Sequence, residues 1–65
     1  PDAYLKVTIG MLVDWNNILR HVLSDIADLE SITGVGIFMS KIREIAENFT
    51  KLAKLLRDVK SLLNL

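Results

Sequence analysis

The chain has no cysteine, one histidine, one proline and three glycines among its 65 residues, and its formal charges sum to zero. Each scarcity closes a route. Without cysteine there is no disulfide and no thiolate metal centre. A single histidine cannot complete a structural zinc site, so neither a metal nor a cofactor is expected. A chain with no net positive charge lacks the dense basic patch that neutralises phosphates, and nucleic acid is not expected as a partner. No uncharged run approaches the roughly 18 apolar residues of a membrane-spanning helix; the longest, Ser31 to Ser40, is broken by Gly34 and Gly36. No segment has the basic start, apolar middle and small-residue cleavage site of a secretory leader. Pro1 suits a chain trimmed of its initiator methionine and an excised piece equally, and the absence of cysteine suits reducing and oxidising compartments alike.

Chemistry is missing as well. Ser24, Ser31, Thr33, Ser40 and Ser61 have no accompanying histidine base and no oxyanion-hole motif. No carboxylate pair stands apart from the polar positions as a general acid and base. Gly34 and Gly36 are not followed by the Lys-Ser or Lys-Thr of a phosphate loop. The expectation is a protein that is not an enzyme and has no small-molecule substrate.

What the chain does have is apolar spacing. One series alternating by four and three runs Leu5, Thr8, Leu12, Trp15, Leu19, Val22, Ile26, Leu29, and a second runs Phe38, Ile42, Ile45, Phe49, Leu52, Leu56, Val59, Leu63. This spacing stacks one residue per turn on a single helical face, as in helices packed lengthwise. The flanks are apolar too: Ile9, Met11, Ile18, Leu23 and Ile32 beside the first series, Met39, Ala46, Ala53, Leu55 and Leu62 beside the second. The apolar arc thus covers about four of every seven positions, wider than a two-helix seam needs. Half of the residues are hydrophobic. A chain this small gains only about 3–5 kcal/mol from a single core, so association is the staple left to it.

Charge is divided between the halves. Residues 1–35 carry Lys6 and Arg20 against Asp2, Asp14, Asp25, Asp28 and Glu30 (2 − 5 = −3), and residues 36–65 carry six lysines and arginines against Glu44, Glu47 and Asp58 (6 − 3 = +3). Asp25, Asp28 and Glu30 sit at the C-terminal end of the first helix and Lys41 and Arg43 at the N-terminal end of the second, each the unfavourable end for its sign. An antiparallel hairpin brings the two misplaced clusters together. Unlike helices are thereby favoured as neighbours.

The spacing predicts a single helical-hairpin domain over residues 1–65: helix 1 about 3–31, a loop about 32–37 and helix 2 about 38–64. Asp2 is a candidate N-cap and Leu5 keeps helix 1 in register from its start, despite the weak formers Val7, Thr8, Ile9 and Gly10; the alternative is an extended Tyr4–Ile9 with the helix proper beginning near Met11. Gly34 is expected as a left-handed C-cap, Ser40 offers a cap for helix 2 while the fit of Phe38 and Met39 to its stripe allows a start at Val35 or Gly36, and the apolar Val35, Ile37 and Phe38 are expected to tuck under the bundle end. His21 with Asp25 one turn on reads as a surface pair, Trp15 as interface core, and Asn16 as a register-setting edge residue. Phe49 with Met39 and Ala53 reads as ordinary helix packing.

Thr8-Ile9-Gly10 with Leu12-Val13 and Trp15 resembles a segment of the staphylococcal delta-toxins, short amphipathic membrane-lytic peptides. The likeness spans eight positions of helix 1 and none of helix 2, and what it implies is a membrane-active role. The fold expected from the residues is all-α, a two-helix antiparallel hairpin assembling through its heptad-like faces into a bundle or filament. Its function would be self-assembly, with other copies of the chain as partners. Its interface would comprise Leu5, Leu12, Trp15, Ile18, Leu19, Val22, Leu23, Ile26, Leu29, Phe38, Ile42, Ile45, Phe49, Leu52, Leu55, Leu56, Val59, Leu62 and Leu63, with Ile18, Leu23, Leu55 and Leu62 reaching further subunits and Val7, Val13 and Leu65 making lateral contacts. The alternatives are a membrane-surface or pore-forming peptide and an oligomerisation domain of a larger protein.

Overall fold

Thr8 starts the first helix. Its backbone is extended (φ −84°, ψ 161°) and its hydroxyl accepts the Met11 N–H at 3.2 Å, satisfying one of the amides that a helix N-terminus leaves unpaired. A computed structural model describes residues 7–64 of the chain, and α1 runs Ile9–Asp28. A helix continuous from about residue 3 through Val7 and Thr8 is therefore corrected: the capping threonine interrupts it. The candidate cap Asp2, the stripe residue Leu5 and the lateral residue Leu65 lie outside the described residues.

After Asp28 the chain tightens into one 3₁₀ turn, Leu29–Ser31, where the Ser31 hydroxyl donates to the Asp28 carbonyl at 3.1 Å. Ile32 is extended, and Gly34, also extended (φ −94°, ψ 131°), is the N-cap of α2, Val35–Leu62. The expected left-handed C-cap at Gly34 does not form. The 3₁₀ turn already ends the first helix, so Gly34 instead accepts the first bond of the next, from Phe38 N–H at 2.9 Å. α2 thus begins at Val35, ahead of Ser40. At its far end Asn64 takes the left-handed conformation (φ 58°), and its N–H bonds the Ser61 carbonyl at 3.2 Å.

The two helices pack against each other along their length as an antiparallel hairpin. The seam has its own four-three series: Met11, Trp15, Ile18, Val22, Asp25, Leu29 and Ile32 on one arm, Lys41, Ile45, Asn48, Leu52, Leu55, Val59 and Leu62 on the other, all buried or half-buried. Its core is thin. Val22 and Leu52 are the buried hydrophobic residues among those described, joined by the polar Asp25 and Asn48. The shape explains why. The molecule measures 51 × 16 × 13 Å with a radius of gyration of 15.3 Å, against about 11 Å for a globular chain of this length. A two-helix slab has one inside line and two open sides.

Candidate functional site

The open sides differ. Advancing 100° per residue from the seam, α1 places Leu12, Leu19, Leu23 and Ile26 roughly a quarter turn to one side. α2 places Phe38, Ile42, Phe49 and Leu56 roughly a quarter turn from the seam in the same rotational sense. In an antiparallel pair those arcs fall on the same broad side of the hairpin. All eight side chains are exposed, from Leu19 at 36% to Leu23 at 65%. Trp15, Val22, Ile45 and Leu52 fill the line between them from the seam. The result is one apolar face running about 27 Å along the hairpin at 1.5 Å per residue, larger than the scattered exposed residues of an ordinary monomer.

The opposite side is polar. Asp14, Asn17, Lys51, Lys54 and Asp58 rim a shallow groove of about 330 Å³ floored by Ile18 and Leu55. Nearer the loop Lys41 lies 3.4 Å from Asp25 Oδ1, 3.4 Å from Asp28 Oδ2 and 3.7 Å from Glu44 Oε2. Partial burial disfavours the charged ammonium of Lys41. Hydrogen bonds to Asp28 and Asp25, with the charges of Asp25 and Glu44, outweigh it and raise the pKa above its usual value. The cluster joins the two ends that carried misplaced charge, as expected for Asp25, Asp28 and Lys41. Glu30 and Arg43 take no part in the ion pairs found among the described residues. Asp25 Oδ2 is buried with no hydrogen-bond partner.

The residues expected at an interface divide between two surfaces. Trp15, Ile18, Val22, Leu29, Ile45, Leu52, Leu55, Val59, Leu62 and Leu63 are buried or half-buried within the hairpin; Ile18, Leu55 and Leu62 are used there rather than held out for further subunits. Leu12, Leu19, Leu23, Ile26, Phe38, Ile42, Phe49 and Leu56 are left exposed. Three seam members, Asp25, Lys41 and Asn48, were not in the expected stripe, because a reading by hydrophobicity places charged and amide side chains outside. His21 is exposed while Asp25 turns inward to Lys41, so the expected surface pair is replaced. The apolar residues near the loop do not tuck: Val35, Ile37 and Phe38 are exposed, as is Asn16. Among the described residues no group of acidic or histidine side chains could hold a metal, and no helix is long and apolar enough to cross a membrane.

Comparison with known proteins adds one likeness. The chain is 41% identical over 64 residues to Prolactin-5A1 of Rattus norvegicus, a match that takes in 98% of this chain and 27% of that protein. The chain therefore spans about a quarter of the length of the curated relative it matches. No protein-family model matches the chain, and no solved structure matches it significantly.

Proposed function

We propose that this chain is a non-enzymatic helical association module whose working surface is the apolar face of Leu12, Leu19, Leu23, Ile26, Phe38, Ile42, Phe49 and Leu56. One observation carries the reading: these side chains stay exposed on one side after the hairpin has closed its own seam. A thin core with a wide apolar face is half of a bundle, and burying that face against further helices supplies the stabilisation the hairpin lacks. Closed bundles and open filaments differ in whether the rotation between units closes.

Where the covering helices come from admits a second reading, favoured by the Prolactin-5A1 match. The relative is nearly four times as long as the matched segment. In that reading the hairpin is a segment of a longer prolactin-like polypeptide, and helices elsewhere in the same chain cover the face. Lipid is the remaining cover, as expected of a membrane-surface peptide.

Circular dichroism and absolute mass, measured together over a concentration series, test the association reading. Helicity and mass are expected to rise together. A fully helical monomer at every concentration overturns the reading, because the face would then need no cover. Joining the chain to its flanking sequence and finding a helical monomer only then assigns the cover to the longer polypeptide.

A further inference from the structure

The apolar face, the polar groove beside Lys51 and Lys54, and the cluster around Lys41 are the features the hairpin does not consume. The face carries the furthest inference. We infer that a second copy of the hairpin covers it, in a two-fold dimer with both loops at the same end and α1 of each copy lying across α2 of the other; this rests on the association reading above.

Shape and charge support that occupant. From Phe38 to Leu56 the apolar face runs about 27 Å at 1.5 Å per residue across a slab 16 Å wide, a long flat strip of the shape that a second hairpin presents. The arm from Ile9 to Ser31 carries Arg20 against Asp14, Asp25, Asp28 and Glu30 (1 − 4 = −3), while α2 carries six basic against three acidic residues (6 − 3 = +3). The two arms cancel, so no net charge opposes self-association. Two stacking rotations are available to a pair of slabs. A two-fold axis along the helices lays each acidic arm on a basic one. An axis across the helices lays acidic on acidic and basic on basic, with the loops at opposite ends. Like-charge stacking is the arrangement electrostatics rejects.

The favoured rotation places Asn16 of one copy beside Ala53 of the other, both on the rim of the face and level along the slab, as Asn17 and Lys54 are across the groove.

The absence of cysteine makes the test clean. Asn16→Cys and Ala53→Cys are made as separate full-length chains, both at exposed positions, checked for helicity, mixed in equal amounts and oxidised. The expected result is a mass of twice 7.3 kDa before oxidation and a mixed Asn16–Ala53 disulfide well above the half that random pairing gives. A dimer yielding mainly like-with-like disulfides overturns this arrangement and leaves the association reading standing. So does a trimer or a filament. A monomer that becomes helical only on vesicles of phosphatidylcholine and phosphatidylserine overturns the second copy in favour of lipid, and a helical monomer without vesicles overturns both proposals.

Discussion

Two leucines one turn apart on α2 separate a lone hairpin from a covered one. Leu52 lies in the seam at 7% exposure and Leu56 on the apolar face at 55%. Truncation to alanine removes three carbons in each case, worth about 2.4 kcal/mol when wholly buried at about 0.8 kcal/mol per carbon, and alanine and leucine are both good helix formers. In the isolated hairpin Leu52→Ala therefore costs about 2 kcal/mol, and Leu56→Ala, with less than half of its side chain covered, about 1 kcal/mol. Once the face is covered, Leu56 is as buried as Leu52 and its truncation costs about 2 kcal/mol or more, the excess reflecting the cavity left behind. Urea unfolding followed by circular dichroism, at one fixed concentration where the chain associates, reads both numbers. Near-equal losses agree with a covered face. A Leu56→Ala loss near 1 kcal/mol beside a Leu52→Ala loss near 2 kcal/mol, in a chain shown to be associated at that concentration, refutes the argument that this face is where association occurs.

Further outcomes follow from the polar seam and the helix starts. The double change Asp25→Leu with Lys41→Met is expected to stabilise the hairpin by roughly 1–4 kcal/mol, since it replaces the half-buried lysine and a buried carboxylate with an unpartnered oxygen by apolar groups; a lower urea midpoint contradicts this. Gly36→Ala meets no atom within 4 Å and lies in the first turn of α2, so a gain of about 0.5–1 kcal/mol is expected in the same assay, and a loss shows that the backbone there is not free to accept a side chain. The raised pKa of Lys41 fixes the sign of a pH dependence: its contribution is complete below the ordinary lysine value of 10.5 and is lost as pH rises through the raised value. Thermal midpoints are expected to fall in that alkaline range, and Lys41→Met to flatten the fall; an equal fall in the variant assigns it to other groups.

Much of this fold is legible in the residues. The four-three spacing, the glycines near Val35 and the oppositely charged ends specify two antiparallel helices, and they are found. The arc of about four positions in seven also announces more apolar surface than one seam can take. What spacing could not decide is which of two interleaved series becomes that seam. Both share Trp15, Val22, Leu29, Ile45, Leu52 and Val59. The more apolar companions, Leu12, Leu19, Ile26, Ile42, Phe49 and Leu56, looked the better choice. The hairpin instead takes Met11, Ile18, Asp25, Lys41, Asn48 and Leu55, because Asp25 and Lys41 neutralise each other at the loop end and so can enter together. Thr8, the N-cap of α1, is hard to read for a related reason. Its place in the stripe hid its capping hydroxyl, although a threonine directly before an apolar helical run is itself a start signal.

A heptad seam has a weakness built into its regularity: slide one helix by seven residues and apolar side chains still meet apolar side chains. Asp25 and Lys41 remove that indifference. After such a slip Asp25 would face a hydrophobic neighbour with its charge uncompensated and Lys41 would keep only Glu44 of its own helix, a larger loss than the few contacts surrendered at the ends. The pair thus works as a notch that admits one alignment, and the same alignment sets Leu12 through Ile26 beside Phe38 through Leu56. A slipped hairpin would still be helical and still be apolar, but its outer surface would be stepped where a flat companion needs it level.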